Sequence, residues 1–164
     1  MFFKKKNQKI SWEKIFIVAV SVFLVAFIGS LLTDVGPWYD QLPAIAIQPP
    51  KWLFGPVWTT LFVLTGIAAV LVWNQPKVDE KTRHAALFLF AANGILNVFW
   101  SYLFFTQKNI PDAFIEIIVL WLSIAGMIYF SEKINKKAAW MLMPYLLWVT
   151  FAGFLNYSYV VAMK

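Results

Sequence analysis

"IFIVAVSVFLVAFIGSLL", residues 15–32, contains no charged side chain across eighteen positions. As an α-helix that run is about 27 Å long, close to the roughly 30 Å of a bilayer's hydrocarbon core. Strands are a poor fit, because a lipid-facing sheet must close into a barrel and barrel strands are only about ten residues long. Four further runs of similar character follow, at about residues 53–73, 85–105, 113–130 and 138–163. The expected fold is therefore an all-α membrane protein, a five-transmembrane-helix bundle occupying residues 15–164 behind a basic tail at 1–14. The basic tail also suits a secretory leader, but the apolar run is longer than a leader's, and TDVGPWYD after it lacks small residues at cleavage spacing. The run is expected to be a retained span.

Composition agrees. Of 164 residues, 61% are hydrophobic and only 13% charged, whereas soluble domains are nearer half and a quarter. A chain this short cannot hide that excess in one core. The net charge of +6 comes from connectors and tail, which suits orientation in a membrane and gives no reason to expect a nucleic-acid partner. Lys4, Lys5, Lys6, Lys9, Lys14, Lys77, Lys81, Arg83, Lys133, Lys136 and Lys137 fall on one side, against Lys51, Lys108 and Lys164 on the other. The positive-inside rule then puts the N-terminus in the cytoplasm, with the first loop and the C-terminus outside.

Most chemistry classes lack their residues. Without cysteine there is no disulfide, thiol nucleophile or zinc–thiolate site. The single His84 lies in a charged connector and is expected to be solvated. No H-E-x-x-H, G-x-S-x-G or phosphate-binding glycine loop occurs. Glu116 is the only acid within a span; one turn past Asp112, it is expected to reach water by snorkelling. No series of intramembrane acids is available for a proton relay, which counts against an ion-coupled pump.

Polar and aromatic residues do recur at helical spacing. In "NGILNVFWSYLFF" (93–105), Asn93, Asn97 and Ser101 share one face, flanked by Trp100 and Phe104. Amides bare to lipid are costly, so that face should look inward. It serves equally well for interhelical hydrogen bonds or for a ligand pocket. In "PYLLWVTFAGFLNYSYV" (144–160), Trp148, Ala152, Asn156 and Tyr159 share a face, and Ala152 leaves room beside Trp148. Tight packing of Trp148 and an interfacial belt of Tyr157 or Tyr159 is the alternative. A buried indole N–H wants an acceptor, for which Asn97 or a ligand is a candidate.

The connector "PWYDQLPAIAIQPPKWLFGPVW" (37–58) has five prolines and three tryptophans. Pro43, Pro49 and Pro50 stiffen it, and Trp38, Tyr39 and Trp52 offer an apolar underside. Residues 33–52 are read as a lid over an aromatic, amide-lined cavity, a setting that suits a flat apolar molecule. The alternative is a segment anchored at the interface by its aromatics.

These pieces resemble the translocator protein / tryptophan-rich sensory protein (TspO/MBR) family. The matching positions are Trp38, Tyr39 and Leu42; Pro49 and Pro50; GPVW at 55–58; Asn97, Trp100, Ser101, Phe104 and Phe105; and the segment from Pro144 to Asn156. The resemblance implies a five-helix bundle, often dimeric, with porphyrins, other tetrapyrroles or, in some members, sterols as lipophilic ligands. By that resemblance Tyr39, Asn97, Trp100, Ser101, Trp148 and Ala152 contact ligand, and Trp38, Pro49 and Pro50 belong to the lid. A membrane receptor or sensor for porphyrin follows, in a bacterial cell membrane, with porphyrin as ligand rather than cofactor and no metal required. Transport of tetrapyrroles or sterol-like lipophiles is a rival reading; light-driven porphyrin breakdown through Trp148 is another. Ala44, Ile45 and Ile47 stand where the family has Lys, Pro and Trp. That Trp is linked in the family to porphyrin breakdown, so Ile47 argues against turnover. A sterol-recognition pattern through Leu155, Tyr159 and Lys164 is weak.

Overall fold

The computed structural model describes residues 11–163. Lys4, Lys5, Lys6, Lys9 and Lys164 lie outside that range, so the tail's charge pattern and the end of the sterol motif do too. Five long apolar helices span membrane-like lengths. They are α1 (Trp12–Leu32), α3 (Phe54–Asn74), α4 (Glu80–Ser101), α5 (Ile110–Ile134) and α6 (Lys136–Ala162), with a short α2 (Pro37–Asp40) in the first loop. The strongest contacts run α1 to α3, α3 to α6, α6 to α5, α5 to α4 and α4 back to α1, closing a ring. The chain is thus an all-α bundle and an integral, multi-pass membrane protein.

Local signals explain the ends. Asp79 caps α4 by accepting from the Thr82 amide, Asn109 caps α5 through the Asp112 amide, and Asn135 caps α6 through Lys137 and Ala138. Pro56 falls in the first turn of α3, where its missing amide costs no helical bond. The helices run beyond the apolar runs into polar sequence. SEKINKK (131–137), which lies between the apolar runs 113–130 and 138–163, is helical except at Asn135, because that single capping residue suffices to separate α5 from α6. His84 accordingly lies within α4 rather than in a connector, and it is exposed.

Three features place the site. The end of α4 widens into a π-helical segment, Tyr102–Thr106. The extra residue per turn lets the consecutive Phe104 and Phe105 both point inward, and both are buried. Glycines admit α1 to the ring: a Cβ on Gly66 would lie 3.3 Å from Val22, and one on Gly94 2.9 Å from Val25. Gly94 therefore serves a contact within the chain. Pro144 lies inside α6, so the Trp140 carbonyl loses its helical partner.

Candidate functional site: a groove between α3 and α6 beneath the first loop

The first loop folds down onto the bundle. Tyr39 keeps 2% of its surface exposed, and its ring meets Phe54 at 6.4 Å and Phe105 at 6.1 Å between centroids. Trp38 packs edge-on against Phe104 at 6.0 Å, and Phe104 stacks on Trp100 at 5.1 Å. Pro50 is extended and leads into the single 3-10 turn Lys51–Leu53. The Lys51 ammonium reaches back to the Val35 carbonyl and pairs with Asp40, tying the two ends of the loop together. Trp52 departs from expectation. It is 71% exposed and points away from the bundle, because the turn at Lys51–Leu53 rotates it outward. Trp38 and Tyr39 alone supply the ring contacts from the loop's underside.

The polar stripe of α4 faces inward, and its groups find partners in the protein. Asn93 donates to Ser123 at 2.8 Å, Asn97 donates to the Tyr145 hydroxyl at 3.1 Å, and that hydroxyl donates to Asn93 at 3.1 Å. Trp100 donates to Asn156 at 3.2 Å, and Asn156 donates to the Ile110 carbonyl at 3.0 Å. These bonds link α4, α5 and α6 through side chains deep in the bundle. Satisfied partners of this kind remove the penalty of burying bare amides, which exceeds the roughly 1 kcal/mol net value of each bond. Ser101 is buried beside them. Tyr145, which holds the relay, was missed in the sequence. It sits three residues before Trp148 and one turn of α6 away, so the stripe could have been extended back to it.

Trp148 lies apart from this relay. Its indole N–H is buried and has no partner among the described residues. Asn97, one candidate acceptor, donates through its amide nitrogen to Tyr145 and makes no hydrogen bond with the indole. Trp148 instead forms part of the wall of a groove of about 510 Å³ between α3 and α6. On the α3 side are Pro56, Val57, Thr60 and Leu61; on the α6 side are Pro144, Leu147 and Phe151 with Trp148. The Thr60 hydroxyl bonds to the Pro56 carbonyl within its own helix. Leu147, two-thirds exposed, marks the side on which the groove opens to lipid. Asn97, Trp100 and Ser101 do not line it. Ala152 is half-buried against the core next to Trp148's turn of α6.

Loop and groove touch through Phe54. Its ring stands edge-on to Trp148 at 6.1 Å, while its other neighbour is Tyr39. Phe54, not singled out in the sequence, is the joint between them. Tyr159, a candidate belt residue, is fully buried, and its hydroxyl lies close to that of Tyr39 without a hydrogen bond of ordinary geometry. Tyr157 is the exposed one of the pair, at 48%. Glu116 also corrects an expectation. It does not reach water; its carboxyl group is enclosed among the packed helices and neither oxygen is exposed.

Comparison with known proteins agrees with this architecture. The profile of the TspO/MBR family matches residues 16–162. The chain is 34% identical over 140 residues to the tryptophan-rich protein TspO of Chlorobaculum tepidum, covering 82% of this chain and 85% of that one. It is 31% identical over 159 residues to the tryptophan-rich protein TspO of Bacillus cereus, covering 96% and 97%. Similarity extends to the translocator protein of Ovis aries, 32% identical over 120 residues and covering 73% and 71%. With a helical ring, a stiff aromatic loop and a match across nearly its whole length, the chain belongs to the TspO/MBR family.

Proposed function

We propose that this protein is a membrane receptor or sensor that takes a planar lipophile, a porphyrin or related tetrapyrrole, from the bilayer into the α3–α6 groove. The carrying observation is Trp148: its ring lines a groove whose only other polar side chain is Thr60, and its indole N–H, turned into the protein behind the groove surface, has no partner among the described residues. A buried donor lacking an acceptor is unfavourable by roughly 1–3 kcal/mol, and a small turn of the indole toward the groove brings it to a ligand carbonyl or carboxylate. The groove's volume falls within the usual range for small-molecule sites. Rings at Trp148 and Phe151 offer faces for a flat molecule, and Phe54 transmits its presence to Tyr39 in the lid. Asn97, Trp100 and Ser101 act from behind, as the support that fixes α6. Lys77, Lys81, Arg83, Lys133, Lys136 and Lys137 then face the cytoplasm of a bacterial cell, and the lid faces outward. Ile47 is 42% exposed on the lid and presents no ring to the groove, so binding rather than photochemical turnover is the reading.

Titrating the purified chain in detergent with protoporphyrin, followed by tryptophan fluorescence quenching, tests this. Trp148→Phe keeps a ring and removes the donor, and should weaken binding about tenfold, the equivalent of 1.4 kcal/mol. Val57→Trp, which fills the groove from α3, should abolish saturable quenching. Unchanged affinity in both variants would refute the assignment.

A further inference from the structure

Beyond the groove, and independent of it, one buried ionisable group has no role in the site described above. Glu116 keeps 6% of its surface exposed. Neither carboxyl oxygen has a hydrogen-bond partner among the described residues. It shares a stripe of α5 with Ala113, Ile117, Leu120 and Ser123, all buried.

Among the described residues, no cation faces it from any element packed on α5. Both ion pairs among the described residues, Lys51–Asp40 and Arg83–Glu80, lie in or next to connectors. The inward stripe of α4 is Asn93, Asn97 and Ser101, the π-helical segment contributes Phe104 and Phe105, and α3 has no charged residue. From α6 the titratable group on this side of the bundle is Tyr145, whose hydroxyl is bonded to Asn93 and Asn97. Asp112, one turn earlier on α5, is engaged by Asn109, and Lys108 sits over the Trp38 ring.

A carboxylate enclosed in this way gives up its hydration and receives no compensating charge or donor. The neutral acid gives up far less. Tyr145 does not compensate it, because its hydroxyl already donates to Asn93 while accepting from Asn97.

We infer that Glu116 is a proton-binding site of the bundle: the helices close around its carboxylic acid, and its ionisation loosens their packing on this part of α5. A proton is the ligand, and the close packing around the carboxyl is what its release disrupts. Intramembrane acids are commonly functional for this reason. The sign follows from linkage. The folded state holds a proton that the unfolded chain gives up, so stability falls as pH rises above the ordinary carboxyl range.

The test uses the full chain in detergent or nanodiscs. Infrared spectra of protein with isotope-labelled glutamate should show one of its four glutamates still carrying the carboxylic-acid carbonyl band at neutral pH. Glu116→Gln should remove that band. Thermal unfolding should show wild type losing melting temperature from mildly acidic to mildly alkaline pH, with the loss absent from Glu116→Gln. A labelled spectrum containing only ionised carboxylates at neutral pH overturns the inference, and it needs no variant to fold. Identical pH profiles for wild type and Glu116→Gln overturn it as well.

Discussion

The carboxamide of Asn97 donates to the hydroxyl of Tyr145 at 3.1 Å, joining α4 to α6 across 48 residues of sequence. The same hydroxyl donates onward to Asn93, and Asn93 to Ser123, whose own hydroxyl donates to the Leu120 carbonyl at 2.6 Å. The phenol thus ties α6 to α4, and Asn93 carries the connection on to α5. Tyr145→Phe leaves an Asn93 oxygen and an Asn97 amide without partners, at a cost of about 1–3 kcal/mol. Asn97→Ala removes a single interhelical bond and should cost nearer 0.6 kcal/mol, the usual size of such bonds in membranes. Unfolding titrations in mixed micelles measure both, and the larger effect is expected for Tyr145→Phe.

Gly94 lets α1 approach α4. A Cβ there would lie 2.9 Å from Val25, closer than packed atoms tolerate. Gly94→Leu should overpack the contact by about 1–3 kcal/mol. Adding Val25→Ala should restore much of that stability. Thermal melts of the single and double variants give the comparison; equal melts for the two would mean that the strain lies elsewhere.

Lys51 holds the loop closed through the Val35 carbonyl and Asp40. Both charges are substantially exposed, at 40% and 61%, so the ion pair adds about 0–1 kcal/mol at most. Lys51→Met should therefore leave global stability nearly unchanged while raising amide hydrogen exchange across residues 34–50. An exchange pattern identical to wild type would show that the ring contacts of Trp38 and Tyr39 alone keep the loop in place.

Asp79 caps α4 outside the membrane. Hydrogen bonds from the Thr82 amide and hydroxyl hold its carboxyl below the usual aspartate range. A carboxyl depressed in this way stabilises the fold above its unfolded-state pKa, and the contribution is lost as pH falls through its folded value. Acidification should fray the start of α4 in wild type. Asp79→Asn, which caps without a charge, should show less acid-dependent exchange at residues 80–83.

Much of this arrangement is visible in the sequence, for identifiable reasons. Apolar runs long enough to cross a bilayer mark the helices, because lipid leaves the backbone few other choices. The four-residue spacing of Asn93, Asn97 and Ser101 marks an inward face, because amides avoid lipid. Spacing on one helix does not say what meets it on another. The choice between a pocket and a hydrogen-bonded seam turned on Tyr145, and the placement of Trp148 turned on how α6 rotates against α3. Trp52 and Glu116 were misjudged for a related reason. A 3-10 turn rotates Trp52 outward by a fraction of a turn, and the enclosure of Glu116 depends on which helices pack around it; periodicity along one helix registers neither.

The central claim is that the Trp148 indole N–H, on the α3–α6 groove, receives the ligand. Indole N–H resonances of the isotope-labelled protein, which contains nine tryptophans, test it directly. The resonance missing from Trp148→Phe should be the one that shifts most on adding protoporphyrin. If that resonance stays in place while those of Trp38 or Trp100 move, ligand binds elsewhere in the bundle and the account is contradicted.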